Sequence, residues 1–430
     1  MQANIQKNKL FVASCLALLV TSLSFGIRAG ILDTLGTQFQ LNKAELGAIA
    51  ATAFWGFPLA IIFGGIVVDV IGMKRLLILA FVFHLAGIIL TIYAGKFGSP
   101  YAALFISTLL IGLANGTVEA ACNPLITSLY PDNKTTKLNH FHLWFPGGIV
   151  IGTLLVFLLN KIGIGWQIQV GLMIVPTLIY GYLFSKLQFP VTERVAKGVS
   201  TAKMYRSLLN PLFIIMIILM FGTAITELFT GQWIDVLLKN VSDNAILLLT
   251  IETGVMVVGR GFAGPVVHRL SPAGVLLFSA IFSALGLYIL GHTTGNLLFI
   301  GALVFGLGVC YFWPTMLGFV SENLPETGAV GINLMGGAGM FAVSIYTIFM
   351  GSHYDNLLAA QLPVNADIKA FMEAPPGSDM ANQLIEAKKA AGPAIINTTF
   401  VIPVILIVAF TTLFFYKKNQ KNKTMIVAQS

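Results

Sequence analysis

The chain has 430 residues, 57% hydrophobic and only 10% charged, with a mean hydropathy of +0.86. Soluble domains carry about 25% charged residues, so an ordinary globular enzyme is excluded and a lipid bilayer is the expected solvent. The net charge of +8 would point a soluble protein towards nucleic acid, but loop asymmetry accounts for it here and no nucleic-acid partner is expected.

Apolar stretches of spanning length, roughly 20 residues each, fall at 10–36, 43–68, 74–95, 100–127, 140–160, 165–186, 208–231, 243–267, 272–291, 296–319, 327–351 and 394–416. They predict an all-α membrane protein of twelve transmembrane helices. The first run follows Lys7 and Lys9 as a secretory leader would. It continues past the usual apolar core of about 7–15 residues without a clear cleavage site, and is read as a retained helix. Asn42-Lys-Ala-Glu45 reads as a capping box opening the second helix, and Pro211 suits the first turn of the seventh. Residues 187–207 hold Glu193, Arg194, Lys197, Lys203 and Arg206 with no apolar run. They are read as a linker between an N-terminal six-helix bundle, 1–186, and a C-terminal one, 208–430. Residues 352–393 form a long external loop, with a short helix expected near 379–390.

Most of the 25 Lys and Arg residues fall on one side, including Lys7, Lys74, Arg75, Lys134, Arg194, Lys203 and Lys417. Lys43, Lys96 and Lys161 are among the fewer on the other side. That asymmetry puts both termini in the cytoplasm of a cell (inner) membrane protein. Cys15, Cys122 and Cys310 lie in separate apolar runs, and neither a disulfide nor a metal site is read from them. There is no P-loop, H-E-x-x-H or zinc spacing. No enzyme activity and no cofactor is expected.

Between the second and third runs stands Gly65-Ile-Val-Val-Asp69-Val-Ile-Gly72-Met-Lys74-Arg75. Charge within hydrocarbon costs roughly 2.5–3.5 kcal/mol per residue, so this turn marks a membrane end. A weaker echo, Gly264-Pro-Val-Val-His268-Arg269-Leu-Ser-Pro-Ala-Gly274, suggests two related halves. The first segment resembles the loop 2–3 signature of the major facilitator superfamily; the echo departs from it at His268. Glu119-Ala-Ala-Cys-Asn123-Pro124, then Lys137-Leu138-Asn139 and Gly147-Gly148-Ile-Val-Ile-Gly152, resembles the fucose–proton symporter branch, with a weaker likeness at Phe312-Trp313-Pro314-Thr315. The resemblance implies two six-helix bundles rocking about a central site, and a proton and sugar role for Glu119. Two positions depart from that branch. Arg28-Ala29 stands in the region of its helix 1 Asp, and Phe145 stands where its helix 5 Asn falls.

Asn115, Glu119 and Asn123 are four apart and share one helix face. A carboxyl at this depth faces protein or water rather than lipid and is read as a proton-coupling group. Arg28 is open between three readings: a partner for Glu119, a clamp on an anionic substrate, and a side chain snorkelling outwards. Glu227 is the other coupling candidate. Substrate candidates are Asn115, Asn123, His142, Gln232, Trp233, Glu252, Trp313 and Asn333, since aromatic faces stack on sugar rings and amides bond hydroxyls. Asp69, Lys74 and Arg75 are expected to form a cytoplasmic latch against the opposing bundle, with Arg260 joining the gate through Glu322 or helix ends. His84 is read as a packing residue. The expected partners are a small-molecule substrate, protons and the bilayer, with the chain acting as a monomer. Proton-coupled uptake of a monosaccharide is the resulting expectation. The alternatives are an organic-anion porter using Arg28 and a proton-coupled exporter of amphiphilic compounds.

Overall fold

A computed structural model describes residues 5–238, 245–363 and 368–429. All regular structure among the described residues is helical. The long elements follow the expected order: α1 (Lys7–Phe39), α2 (Lys43–Ile71), α3 (Met73–Ile92), α4 (Pro100–Leu129), α5 (Lys134–Lys161) and α6 (Trp166–Lys186). There follow α7 (Pro211–Phe229, continued by Thr230–Leu238), α8 (Ala245–Gly261), α9 (Ala263–His292), α10 (Leu297–Asn323), α11 (Gly328–Gln361) and α12 (Asp379–Gln429). Among the described residues, eleven helices are long and apolar enough to cross a membrane. The twelfth, α8, has 17 residues and begins beside residues 239–244, which lie outside the described set.

Local chemistry sets the helix ends. The Asn42 side chain accepts from the Glu45 amide while Glu45 accepts from the Asn42 amide, each at 2.9 Å, completing the capping box that opens α2. Ser99 caps α4 ahead of Pro100, and α7 begins on Pro211. The α2–α3 turn is a single residue, Gly72, at φ 89°. A side chain there would strain the backbone, so glycine is what lets the two helices follow each other so closely. Ser271 (φ 63°) breaks α9 between the expected ends 267 and 272. It precedes Pro272, whose ring disfavours helical backbone in its neighbour.

Much of 352–393 is helix rather than loop. α11 runs on to Gln361, α12 starts at Asp379, and Ile368–Met372 forms a short helix between them. The reason is a small apolar core of Leu358, Leu362, Phe371, Leu384, Ala387 and Ala391, which extends the helices beyond membrane length.

By backbone contacts the chain divides into two units. The first comprises Met1–Ile217 with Pro314–Met340; the second comprises Ile218–Trp313 with Phe341–Ser430. In the first, α2 packs on α4 and α1 on α5 so closely that a Cβ on Gly116 would collide with the Phe57 carbonyl, and one on Gly148 with Ser22. In the second, α9 packs against α10 and α12, with Gly308 set against the Ser283 backbone. Small residues permit this approach, and van der Waals contact rather than water exclusion holds such helices together. Buried hydroxyls on α1 are satisfied within their own helix: Ser14 donates to Leu10 and Ser24 to Thr21.

Candidate functional site

In the first unit, α4 carries the polar column that its spacing predicts. Asn115, Glu119 and Asn123 are all buried. The Glu119 carboxylate accepts from Asn123 Nδ2 at 3.3 Å, and Asn123 Oδ1 accepts from His142 Nε2 at 3.0 Å. His142 thus joins the column from the first turns of α5. One turn above, Asn115 Oδ1 accepts from His84 Nε2 at 2.8 Å, leaving Nδ1 to accept from the Tyr180 hydroxyl. His84 is a fully satisfied packing residue, as its isolation in α3 suggested.

Arg28 does not join Glu119. Asn115 donates to Ser24 at 3.3 Å, which fixes the level at which α1 and α4 touch. The helices are antiparallel, since Tyr130 at the end of α4 reaches Asn8 at the start of α1. Arg28 lies one turn beyond that level and Glu119 one turn short of it, so they stand about 12 Å apart along the axes. The Arg28 guanidinium instead lies 5.2 Å from the Phe25 ring, and its Nη2 is buried without a hydrogen-bond partner. Phe145 also packs on Phe25, with ring centroids 6.0 Å apart.

In the second unit, α7 contains one π-helical turn, Ile225–Phe229, which carries Glu227. Such bulges recur at functional sites because they re-aim side chains. Glu227 pairs with Arg260 at 2.6 Å and accepts from the Trp313 amide at 3.2 Å. Arg260 also donates to the Cys310 carbonyl. Arg260, expected to join a gate through Glu322 or helix ends, turns its guanidinium from the end of α8 into the helix packing, where it meets α7 and the Cys310 carbonyl at a helix end. Glu252 is buried with Oε2 unpartnered, and its Oε1 would lie 3.1 Å from a Cβ on Gly231. Thr230 Oγ1 and Trp313 Nε1 are likewise buried and unpartnered. Trp233 stacks on Phe229 at 5.7 Å, and Tyr346 meets Phe229 edge-on. The helix does not break at Gly231. The side chain of Gln232 lies outside the described residues.

The residues expected to gate divide. Asp69 pairs with Arg194 at 2.6 Å and accepts from Thr192, both in the 187–207 segment. Lys74 donates to the carbonyls of Ser185 and Leu187 at the end of α6. Arg75 is exposed and bonds nothing among the described residues. Asp69 and Lys74 thus bond the linker and the α6 end. Glu322 accepts from the Thr135 amide and hydroxyl at 3.1 and 2.6 Å. Lys134 donates to the Ser321 carbonyl and pairs with Glu193 at 2.6 Å. Burial works against the Glu193 carboxylate, but hydrogen bonds from Lys134 and Lys197 outweigh it and hold the carboxyl below the usual range. Asn333 donates to the Ala120 carbonyl on α4. The sequence does not single out Lys134, Thr135, Glu193 and Arg194, which the structure brings into this polar cluster. The signal was a cluster of opposite charges in otherwise apolar sequence, with nothing to say which paired. Among the described residues no group of His, Cys, Asp and Glu is placed to hold a metal.

The profile of the Major Facilitator Superfamily matches residues 14–352. The chain belongs to this family. It is a membrane transporter for small molecules and not an enzyme. The facilitator is similar in fold to the E. coli fucose:proton symporter (TM-score 0.67, 16% identity, covering 92% of this chain and 98% of that one). It is also similar to a proton:xylose symporter solved with 6-bromo-6-deoxy-D-glucose (TM-score 0.68, 13% identity, 93% and 96% covered). These likenesses support the major facilitator architecture of twelve helices in two six-helix bundles. Among curated relatives, it is 27% identical over 165 residues to facilitated glucose transporter member 10 of Xenopus laevis (38% of this chain, 29% of that protein). It is 32% identical over 103 residues to the chloroplastic sodium-dependent phosphate transport protein 1 of Arabidopsis thaliana (24% and 20%). It is 27% identical over 173 residues to the cis,cis-muconate transport protein of Acinetobacter baylyi (39% and 40%). The matches thus span well under half the length of these relatives.

Proposed function

We propose that this facilitator takes up a monosaccharide or similar small polar solute together with protons, by alternating access across the inner membrane, with both termini in the cytoplasm. The observation that carries the coupling is the buried column Glu119–Asn123–His142. It places an acid inside a spanning helix, on a polar relay rather than against lipid. Glu119 carries the proton in this reading, and the relay gives it a route across α4 and α5. Three buried groups with unused hydrogen-bonding capacity, Thr230, Glu252 and Trp313, support a hydroxylated cargo. A solute rich in O–H groups would complete them. The Trp233–Phe229 stack supplies an aromatic face beside them.

Uptake of radiolabelled monosaccharides into proteoliposomes under an imposed pH gradient tests the reading. The expected result is accumulation when the outside is acidic, abolished in Glu119→Gln while solute exchange without a gradient persists. Folded protein that shows no proton-dependent uptake of any sugar would remove the proposal. So would a Glu119→Gln variant that still accumulates solute.

A further inference from the structure

Arg28 projects from α1 into a pocket walled by α1, α2, α3, α4 and α6 of the first unit. The walls are mostly apolar, with Ile27, Ile111 and Met173 among them. The other lining side chains that bear oxygen or nitrogen are the hydroxyls of Ser24, Thr91 and Thr108. Among the described residues, no acidic side chain and no second cation lines it. The guanidinium is planar and offers five donors. Here it rests against Phe25, with Nη2 buried and bonded to nothing.

A buried cation without a counter-ion is unfavourable, because its hydration is lost and nothing replaces it. Phe25 compensates only weakly through its ring face. Glu119 is out of reach along the axis, beyond the Ser24–Asn115 bond. No described residue supplies the balancing charge, which leaves the guanidinium open to one from outside the chain. One guanidinium with no neighbouring cation matches a single negative charge, and its fork geometry matches two coplanar oxygens. A phosphate dianion would leave one charge unmatched in an apolar pocket.

We infer that Arg28 is the binding group for a monocarboxylate, so that the cargo of this transporter is a hydroxylated solute bearing one carboxylate, such as a sugar acid. The inference deepens the proposed function, and rests on it only for the statement that the bound solute is carried. Of the wall hydroxyls, Ser24 and Thr91 already donate to backbone carbonyls, which leaves Thr108 as the wall hydroxyl to suit the one next to the carboxylate.

The test compares matched ligands on the purified full-length protein by thermal shift and by titration calorimetry. Glycerate, threonate, gluconate and galacturonate are each set against their neutral polyol or sugar, with inorganic phosphate as the dianion. At least one carboxylate is expected to bind wild type while its neutral counterpart does not. Arg28→Gln is expected to weaken that binding about 30-fold or more. Arg28→Lys should recover part of it, since the charge returns without the fork. Without ligand, Arg28→Gln should melt no lower than wild type, because it removes an uncompensated charge. A purely structural Arg28 predicts the opposite: a lower melting temperature and unchanged ligand affinities. That result overturns the inference, as does binding of none of the four acids, binding of phosphate alone, or equal binding of acids and neutral partners. The two readings fail separately. Arg28-dependent binding without proton-driven accumulation would sink the coupling and leave this site standing. Proton-driven uptake of neutral sugars untouched by Arg28→Gln would do the reverse.

Discussion

Glu227 and Arg260 are 33 positions apart in sequence and 2.6 Å apart in space, both with almost no exposed surface. Each alone would be an intolerable charge in the helix packing; together they share one desolvation cost and extra bonds from Trp313 and Cys310. Removing one partner of such a pair costs about 3–5 kcal/mol, whereas replacing both with well-fitting neutral groups is close to neutral. Glu227→Gln is therefore expected to destabilise the detergent-solubilised protein by about that amount. The double variant Glu227→Gln, Arg260→Met should regain most of it. Denaturant titration followed by tryptophan fluorescence measures both. A single variant as stable as wild type would show that the pair is not desolvated. The sequence marks both residues as notable, because charge within a span is rare. It does not show that they meet, since that depends on how α7 and α8 lie against each other and on the π turn that re-aims Glu227.

At the level of elements, the 187–207 segment is more than a tether. Its two short helices, Glu193–Ala196 and Thr201–Ser207, hold three other elements through charge. Arg194 takes Asp69 of α2, Glu193 takes Lys134 of α5, and Lys203 takes Glu326 ahead of α11. The last pair is exposed and contributes little; the first two are largely shielded from water. The pH dependence follows from Glu193. Its carboxyl is held below the usual range in the folded chain, so the clasp contributes fully above the unfolded value of about 4.3 and is lost as pH falls through the lower folded value. Hydrogen exchange of the segment, corrected for intrinsic rates, should show constant protection from pH 8 to about 5 and loss only below about 4. Glu193→Gln should remove that dependence. Protection that fades near pH 6 would assign the clasp to a different group. The polar composition of this segment makes it legible as a linker. Its role as a clasp is not legible, because Asp69 and Arg194 find each other only once α2 and the linker have been folded side by side.

For the whole molecule, the proposed alternating access would have the α5–α10 contacts open and close. Thr135 donates twice to Glu322, and Asn139 donates to Thr315, so the contact includes polar bonds. Hydrogen bonds to a charged group are worth roughly 1.5–3 kcal/mol. Glu322→Ala should therefore shift the balance towards the form open on the proposed cytoplasmic side by at least about tenfold. A cysteine probe at Thr127, buried near Ser321 and Glu193, reports this opening. Its labelling by a membrane-impermeant maleimide in inside-out vesicles should accelerate by that factor, against a background in which Cys15, Cys122 and Cys310 are buried. Unchanged labelling would remove Glu322 from the gate.

The order and approximate ends of the spans, the α2 capping box, the glycine turn at Gly72 and the α4 column of Asn115, Glu119 and Asn123 all follow from the sequence. Each depends on neighbours within a few positions or on bulk composition, which the membrane turns directly into helices by forbidding unpaired backbone groups. Only the tertiary structure decided the partners. Arg28 is left without a carboxylate because it and Glu119 lie on opposite sides of the Ser24–Asn115 contact. Arg260 goes to Glu227 and the Cys310 carbonyl, and Asp69 goes to the linker. Side-chain pairing across distant helices is set by their packing and axial register, quantities in which glycine contacts such as Gly116 on Phe57 matter as much as the charged residues themselves.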